Sequence, residues 1–374
     1  MEFKIPVEKL QDIISRLSNV ITINESDVTG MLYIEVSEHN ITFKGTKNTI
    51  YVAISSEDCE IVNKGKALCR FGDIKGYIMR FVPLGEDYGT ENFHFVVSDS
   101  EGIIKTKTYF QGSKPSYRTL KFELFNIAQF PTIKPFGEAE LIINSNILKQ
   151  GIDKVAHCID PTEIRGALKG MNVTIDDGKI IFAGTNGVKL AENVIDINAD
   201  IKHASYILYY DLATILRLVL DDDSQVFMHF EGGHIYLKSN NVYIVGSLHT
   251  ESYPNYKAMF DYDNVISFPR MDFTDSVVSV MDVLDLEDNS RLTLNLSGNK
   301  LLLKNDRVEV IHEFDENFES ALDVDINGVF LASLLKDFTG DILEIHFAPG
   351  NNYIVLKSKD DDKHTALLTV VLRR

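Results

Sequence analysis

Ile41-Thr-Phe-Lys-Gly-Thr-Lys-Asn-Thr-Ile50 is repeated as Ile180-Ile-Phe-Ala-Gly-Thr-Asn-Gly-Val-Lys189 and, more faintly, as Leu301-Leu-Leu-Lys-Asn-Asp-Arg-Val-Glu-Val310. An apolar pattern with helical spacing precedes each stretch, and another follows it. Self-similarity at a long period indicates tandem copies of one domain. A chain of 374 residues has room for two or three domains, so the repeat predicts three copies.

The pattern around each repeat predicts one common unit. A strand leads into an amphipathic helix, whose apolar face in the first copy includes Leu10, Ile13 and Leu17. Strands with alternating apolar residues follow, then a second helix, then closing strands. The predicted fold class is therefore α+β, with two helices packed on antiparallel sheets in each copy. The second helices are predicted over 73–81, 211–220 and 327–338. The first helix of the third copy is predicted over 272–284, with an apolar side of Val277, Val278, Met281 and Leu284.

Two proline-tyrosine segments suggest where the copies meet. Lys114-Pro-Ser-Tyr117 and Tyr253-Pro-Asn-Tyr256 occupy matching places near the ends of the first and second copies. The predicted domains are residues 1–134, 135–256 and 257–374.

Composition describes a soluble globular protein, with 44% hydrophobic and 25% charged residues. No apolar run approaches the length of a membrane span, and the N-terminus lacks the layout of a signal peptide. The three cysteines are typical of reduced thiols, so we expect a cytoplasmic protein. A net charge of -18 argues against nucleic acid only on average, because a ring or groove can be basic inside and acidic outside.

A search for catalytic motifs favours a scaffold over an enzyme. The segment Gly184-Thr-Asn-Gly187 lacks the following Lys-Ser/Thr of a phosphate-binding loop, and no zinc or nucleophile motif occurs. His229 and His234 flank a glycine pair and could meet as metal ligands across a hairpin, but a plain turn is the preferred interpretation. We therefore expect no active site, no metal and no cofactor.

Several motifs resemble those of one family when taken in order. Ile164-Arg-Gly-Ala-Leu-Lys-Gly-Met171 followed by Gly184-Thr-Asn-Gly-Val-Lys-Leu-Ala191 is similar to the pattern Arg-x-x-Leu-x-Gly, then Ala-Thr-Asp-Gly-His-Arg-Leu-Ala. Tyr253-Pro-Asn-Tyr256 resembles a Phe-Pro-Asp-Tyr linker, and Val371-Leu-Arg373 resembles a terminal Pro-Met-Arg. These are patterns of the bacterial DNA sliding clamp, the beta subunit of DNA polymerase III, and the resemblance extends over essentially the full length.

The resemblance is divergent at identifiable positions. Asn186 stands for the family's Asp, Val188 for its His and Lys189 for its Arg, and the terminus lacks its proline. Divergence of this degree suits a phage or plasmid clamp, or one from an AT-rich genome.

The resemblance implies a processivity factor, which keeps a polymerase on DNA by encircling the duplex and not by a chemical step. Three copies would form half a six-domain ring, and a head-to-tail homodimer, joined through edge strands of its first and third domains, would encircle duplex DNA. A separate ATP-driven clamp loader would open it. Cations on polar helix faces would then hold DNA without sequence preference: Lys9, Arg16, Lys75, Arg80, Lys149, Lys154, Arg217 and Lys336, with Arg165 on an adjacent loop. The first helix of the third copy breaks this pattern, since it carries Asp272, Asp275 and Asp282.

The resemblance also implies a partner-peptide cleft between the second and third domains, where the replicative polymerase and other replication proteins dock. An apolar cleft of this kind anchors one or two leucine or aromatic side chains. Its expected residues are Leu168, Thr185, Gly187, Val188, Lys189, Leu190, Pro254, Met259, Phe330, Tyr353, Val370, Val371, Leu372 and Arg373. Leu168, Leu190 and Phe330 could equally be core residues.

Two other functions remain open from the sequence. A ring-like scaffold that recruits proteins in transcription or recombination, with weak DNA affinity, is favoured by the acidic third-copy helix. A hydrolase using His229 and His234 is the other.

Overall fold

A computed structural model shows how the repeats fold. It describes residues 1–23, 27–85, 88–197, 203–260, 262, 264–281, 290–315, 317–348 and 352–370. Within these ranges the chain forms six α-helices and twenty-five strands, and the sheets are antiparallel. The prediction of an α+β fold with two helices in each copy is confirmed. None of the described helices has the length and apolar character that a membrane span needs.

The element order is the same in the second and third copies: strand, helix, four strands, helix, three strands. The first copy has one additional short strand, β5. Its elements are β1 (Glu2–Pro6), α1 (Val7–Leu17), β2 (Met31–Val36), β3 (Ile41–Lys47), β4 (Ile50–Ser56), β5 (Glu60–Asn63), β6 (Gly65–Arg70), α2 (Phe71–Ile78), β7 (Tyr88–Val97), β8 (Gly102–Phe110) and β9 (Ser116–Phe122).

The second copy contains β10 (Leu141–Asn144), α3 (Ser145–Ala156), β11 (Gly170–Asp176), β12 (Lys179–Thr185), β13 (Lys189–Asp196), β14 (Ala204–Tyr209), α4 (Tyr210–Val219), β15 (Gln225–Glu231), β16 (His234–Ser239) and β17 (Val242–His249). The third contains β18 (Asn264–Pro269), α5 (Arg270–Met281), β19 (Arg291–Ser297), β20 (Lys300–Lys304), β21 (Glu309–Glu313), β22 (Leu322–Asn327), α6 (Gly328–Leu335), β23 (Ile342–Phe347), β24 (Tyr353–Ser358) and β25 (His364–Thr369).

The contacts divide the chain into two compact units. Unit 1 comprises Met1–Leu148 and Thr214–Leu248, and unit 2 comprises Lys149–Ala213 and His249–Arg374. These units are defined by contact density rather than by the repeat, so the three-domain division stays a prediction.

Unit 1 contains two antiparallel sheets. Five strands pair in the order β5, β1, β7, β8, β9, which leaves β9 at an edge. Eight others pair in the order β6, β2, β3, β4, β17, β16, β15, β10. The β4–β17 pairing joins strands of the first and second copies.

Unit 2 repeats this plan. Eight strands pair in the order β14, β11, β12, β13, β25, β24, β23, β18, and the β13–β25 pairing joins the second and third copies. Four others pair in the order β21, β20, β19, β22, with β21 at an edge.

The glycine of the repeated motif lies beneath the first helix of its copy. A Cβ on Gly184 would lie 2.5 Å from the carbonyl oxygen of Val155, in the last turn of α3. A Cβ on Gly45 would meet the Ile21 side chain at 2.5 Å, just beyond α1. Gly184 therefore allows the end of α3 to lie directly on a strand, and Gly45 leaves room for the side chain of Ile21, which follows α1.

The third copy uses a different contact at this position. Counted from the start of the β19–β20 hairpin, Asn305 occupies the place of Gly184. Its side-chain amide donates to the carbonyl of Val280, in the last turn of α5. A hydrogen bond therefore replaces the close contact made possible by glycine.

Some details differ from the sequence expectations. Val278, predicted on the apolar side of α5, is 39% exposed, because Phe273, Val277 and Val280 form the buried side. Leu284 lies outside the described residues. The segment 114–117, predicted as a boundary, enters strand β9 and so lies within the first copy. The second helices α2 and α6 each end three residues earlier than predicted.

Candidate functional site

A cavity of about 160 Å³ lies in unit 2 beside the turn that joins β12 to β13. It is smaller than the roughly 300–1,000 Å³ of pockets that enclose whole drug-sized ligands, so its size suits inserted side chains. The lining residues are Arg165, Leu168, Thr185, Gly187, Val188, Lys189, Leu190, Tyr253, Pro254, Asn255, Tyr256, Met259, Leu367 and Thr369.

The β12–β13 turn is held by its own polar side chains. The Asn186 side-chain oxygen accepts hydrogen bonds from the backbone N–H groups of Val188 and Lys189, both at 3.0 Å. Thr185 Oγ1 accepts from Gly187 N–H at 3.0 Å, and Gly187 has a φ of 85° that favours glycine. An Asp offers the same acceptor atom as Asn, so replacing the family's Asp by Asn186 retains the turn.

An apolar wall closes the opposite side of the cavity. Tyr253, Tyr256 and Met259 pack with Phe260 onto the sheet, around the buried Leu190. Tyr253 and Tyr256 have ring centroids 6.1 Å apart, with nearly perpendicular planes. The segment predicted to link the second and third domains is therefore part of the cavity wall.

Arg165, which the sequence analysis expected to face DNA, lines the cavity. Its guanidinium donates to Glu163 at 2.9 Å and to the carbonyl of Asn186 at 3.1 Å, and it covers Gly187. Hydrogen bonds from Arg165 lower the pKa of Glu163 to about 2. The rim thus carries a cation that is already paired.

The predicted cleft residues divide into three groups. Eight of them line the cavity: Leu168, Thr185, Gly187, Val188, Lys189, Leu190, Pro254 and Met259. Three lie elsewhere in unit 2: Phe330 has the Lys189 ammonium 4.9 Å from its ring centroid, Tyr353 packs against the apolar wall, and Val370 forms a bridge with Ile326. Val371, Leu372 and Arg373 lie outside the described residues.

The cleft prediction missed six residues of the lining, one of which, Arg165, had been predicted to face DNA. Tyr253, Asn255 and Tyr256 belong to the quoted linker motif, of which only Pro254 was selected. Leu367 and Thr369 come from β25, which reaches the site by pairing with β13. The linker motif could have identified the first three residues, whereas Leu367 and Thr369 reach the cavity only through the pairing of distant strands.

Buried titratable groups lie on the helix side of the same sheet. His157 Nε2 is 3.4 Å from a carboxylate oxygen of Asp337, and Lys154 donates to the backbone carbonyl of Asp337. Burial lowers the pKa of His157 to about 4 and that of His364 to about 3. Burial also raises the pKa of Asp337 to about 6. Both histidines are therefore neutral at pH 7.

The other predicted DNA-facing cations differ in their availability. Arg16 is 15% exposed and forms ion pairs with Asp12 at 2.6 Å and Asp221 at 2.9 Å. Lys9 lies 4.0 Å from Asp58, a loose surface pair. Lys75 and Lys149 are half-buried, whereas Arg80, Arg217 and Lys336 are exposed.

The exposed side of α5 is acidic and partly apolar, as its carboxylates had suggested. Asp272 and Asp275 are exposed, with Met271 and Val278 beside them. Asp282 lies outside the described residues. The one cation of α5 is Arg270, which is partly buried, whereas Lys336, just after α6, is exposed.

The two histidines considered as metal ligands have separate partners. His229 Nδ1 lies 2.9 Å from a carboxylate oxygen of Glu140, and His234 Nδ1 lies 3.0 Å from the carbonyl of Gly232. The described part of the chain holds no group of three or more His, Cys, Asp or Glu suited to a metal ion.

Comparison with known proteins shows which proteins share this fold. Residues 142–255 match the family described as DNA polymerase III beta subunit, central domain. The DNA polymerase III subunit beta of Pseudomonas aeruginosa superposes with a TM-score of 0.85 at 16% identity, over 100% of both chains. The chain shares the fold of the bacterial sliding clamps and resembles them in sequence over part of its length. The sliding clamp of Bacillus subtilis also superposes over 100% of both chains, with a TM-score of 0.85 at 14% identity.

Curated clamps show the same relationship in sequence. The beta sliding clamp of Staphylococcus epidermidis is 21% identical over 250 residues, which cover 64% of this chain and 66% of the relative. That of Staphylococcus aureus is 21% identical over 249 residues. The alignments span slightly less than two thirds of these relatives, whereas the clamp fold extends over the whole chain.

Proposed function

We propose that the protein is a DNA polymerase processivity factor: a homodimeric ring that encircles duplex DNA and tethers the polymerase. The observation that carries the proposal is the full-length clamp fold combined with an apolar cavity at the β12–β13 turn. A ring retains its partner on DNA by topology, so this function requires no catalytic group, and we propose none. The cytoplasm is its proposed location.

The proposed DNA contact uses exposed cations on α4 and just beyond the ends of α2 and α6. Arg80, Arg217 and Lys336 are solvent-exposed and would approach phosphates through water, without reading bases. Arg16 is 15% exposed and Lys154 is partly buried, so both would contribute less. Weak contacts of this kind suit a ring that must slide.

The proposed self-association uses the edge strands β9 and β21. β9 carries Arg118 and Lys121, whereas β21 carries Glu309 and Glu313. Strands of opposite charge at free sheet edges favour head-to-tail pairing of two copies over pairing of like edges. Two such contacts would close a ring.

The proposed partners at the cleft are the replicative polymerase, the clamp loader and other replication proteins, each through a short peptide. Eight lining side chains are aliphatic or aromatic or belong to proline, and they would take leucine or aromatic side chains. The polar Thr185, Asn255 and Thr369 would orient the peptide backbone.

Retention on circular DNA tests the proposed function. After loading by a clamp loader, the protein is expected to stay on a nicked circular plasmid through a high-salt gel-filtration column and to leave when a restriction enzyme linearises the plasmid. A ring is held by topology rather than by salt-sensitive contacts. Equal loss from circular and linear DNA would rule out encirclement, and a stable monomer at micromolar concentration would rule out the dimer.

Val188→Glu tests the proposed cleft. Val188 is 40% exposed at the cavity, so the new carboxylate can be solvated without disturbing the core, yet it would oppose insertion of an apolar side chain. We expect the dissociation constant of a polymerase peptide to rise by about tenfold to a hundredfold, which corresponds to about 1.4–2.8 kcal/mol. Fluorescence anisotropy would measure it.

Val265→Glu is the matched control, because Val265 is 42% exposed on a strand of the same unit and does not line the cavity. It should leave peptide affinity unchanged. Equal effects of the two substitutions would count against the cleft.

A further inference from the structure

Residues 253–260, called the strap, are held by hydrogen bonds to residues that lie in one row across four neighbouring strands. Ala183 of β12 pairs with Glu192 of β13, Glu192 pairs with Thr365 of β25, and Thr365 pairs with Lys357 of β24. Residues paired across neighbouring strands lie side by side on one face of a sheet. The row therefore crosses the β13–β25 junction.

Three of the four residues in the row, Ala183, Glu192 and Lys357, form hydrogen bonds with the strap. The Tyr253 hydroxyl donates to the Ala183 carbonyl at 3.4 Å, and Lys357 Nζ donates to the Phe260 carbonyl at 3.2 Å. These bonds tie down the two ends. Between them, Glu192 holds the middle.

Glu192 makes the shortest contacts of the strap. One carboxylate oxygen accepts a hydrogen bond from the Tyr256 hydroxyl at 2.6 Å and lies 2.5 Å from Lys257 Nζ. Glu192 is 5% exposed and Tyr256 is 6% exposed. Charge-assisted hydrogen bonds are stronger than neutral ones, and loss of one partner leaves the other buried and unsatisfied.

The surroundings of the Tyr256 hydroxyl keep it protonated, so that it can donate the hydrogen bond to Glu192. Burial and the neighbouring Glu192 carboxylate both raise the pKa of the Tyr256 hydroxyl above its ordinary range. The phenol therefore keeps its proton at neutral pH and donates to the Glu192 carboxylate.

The fastened strap forms one wall of the cavity. Tyr253, Pro254, Tyr256 and Met259 all line it, and Tyr256 carries the bond to Glu192. Glu192 itself does not line the cavity, so it can affect a ligand only through the strap.

We propose that Glu192 is a positioning residue, which holds the strap so that the cavity is formed before a partner peptide arrives; this rests on the proposed function of the cleft. A preformed wall improves affinity because the peptide need not order it. Glu192 thus affects the affinity of the cleft for an apolar side chain of the peptide, although it does not contact that side chain.

The test combines a binding measurement with local hydrogen exchange. The full-length protein and the variants Glu192→Ala, Glu192→Gln and Tyr256→Phe are titrated into a fluorescein-labelled peptide, Gly-Ser-Leu-Ser-Leu-Phe. We expect Glu192→Ala to raise the dissociation constant about tenfold, with a smaller effect for Glu192→Gln, which retains an acceptor for Tyr256. The double variant Glu192→Ala/Tyr256→Phe should bind no worse than Glu192→Ala, because both changes remove the same contact.

Amide exchange separates positioning from general loss of stability. In Glu192→Ala, exchange should accelerate within residues 253–260 and stay unchanged in β11 and β12. Glu35→Ala is the control, since Glu35 pairs with Lys44 and Lys66 in unit 1, and it should alter neither peptide binding nor strap exchange.

Each outcome decides between the two proposals. Folded Glu192 and Tyr256 variants with unchanged affinity and unchanged strap exchange would overturn the positioning role. If the unsubstituted protein fails to bind the peptide, the proposed cleft is in error, and strap exchange alone then decides the role of Glu192. If Glu192→Ala fails to fold, Glu192→Gln and Tyr256→Phe give the same readouts.

Discussion

Gly184→Ala is expected to lower the free energy of unfolding by about 3 kcal/mol, whereas Gly45→Ala should lower it by about 1 kcal/mol. The new methyl group at position 184 would lie 2.5 Å from the backbone carbonyl of Val155, which cannot move without displacing the end of α3. At position 45 the nearest atoms belong to the Ile21 side chain rather than to backbone, so a side chain and not a helix end has to shift. Urea denaturation monitored by circular dichroism would measure both changes.

Gly76→Ala is the matched control for these substitutions. Gly76 lies within α2, and a Cβ there would meet nothing within 4 Å. Because alanine favours helix over glycine, this variant should be neutral or slightly stabilised. Equal destabilisation by Gly45→Ala and Gly184→Ala would contradict the distinction between backbone and side-chain contacts.

Lowering the pH from 7 to 5 is expected to destabilise the protein, chiefly through His364. Its pKa is about 3 in the folded state against 6.5 as the ordinary value, so at pH 5 the unfolded chain binds a proton that the folded chain excludes. Stability from this group is complete above pH 6.5 and is lost as the pH falls, by about 2 kcal/mol at pH 5. His157 acts in the same direction, since its pKa is lowered to about 4.

Asp337 opposes this trend. Its raised pKa of about 6 means that the folded protein takes up a proton before the unfolded chain does, which adds stability between pH 6 and pH 4. The groups that act on this cluster are Lys154, Lys189, Lys336, Asp153 and Asp361. The two histidines outweigh the single carboxyl.

His364→Phe would isolate the effect of that imidazole. The ring of His364 packs against Phe338 at 4.8 Å, so phenylalanine keeps an aromatic contact while removing the titrating group. The difference in unfolding free energy between pH 7 and pH 5 should shrink by about 2 kcal/mol. His39→Gln, at a side chain that is 88% exposed, should leave the difference unchanged. An unchanged pH dependence in His364→Phe would contradict the assignment.

The repeat made much of the fold predictable, because the helical and alternating patterns around it are local. The order of elements in the second and third copies follows from them. The short strand β5 was missed because only four residues form it. Val278 was misplaced because Phe273 and Val280, rather than Val278, complete the buried stripe of α5.

The candidate site was predictable only where its residues are close in sequence. The turn at 185–189 and the linker at 253–256 have recognisable motifs, whereas Leu367 and Thr369 reach the cavity through the β13–β25 pairing. Glu192 gives no signal in isolation, because its role depends on Tyr256, 64 positions later. The ion pair of Arg16 with Asp221 likewise joins residues that are far apart in sequence.

Because of Asn305, the third copy holds its first helix by a hydrogen bond that the other two copies lack at this position. In the first two copies the contact is set by the absence of a side chain on the strand, which leaves room for the Ile21 side chain in the first copy and for the end of α3 in the second. In the third copy the Asn305 amide needs the Val280 carbonyl opposite it. In a chimera that exchanges first helices between copies, a transferred helix should therefore fit the glycine-bearing sheets of the first two copies more readily than the sheet of the third. Only the third sheet requires a backbone carbonyl opposite a side-chain amide.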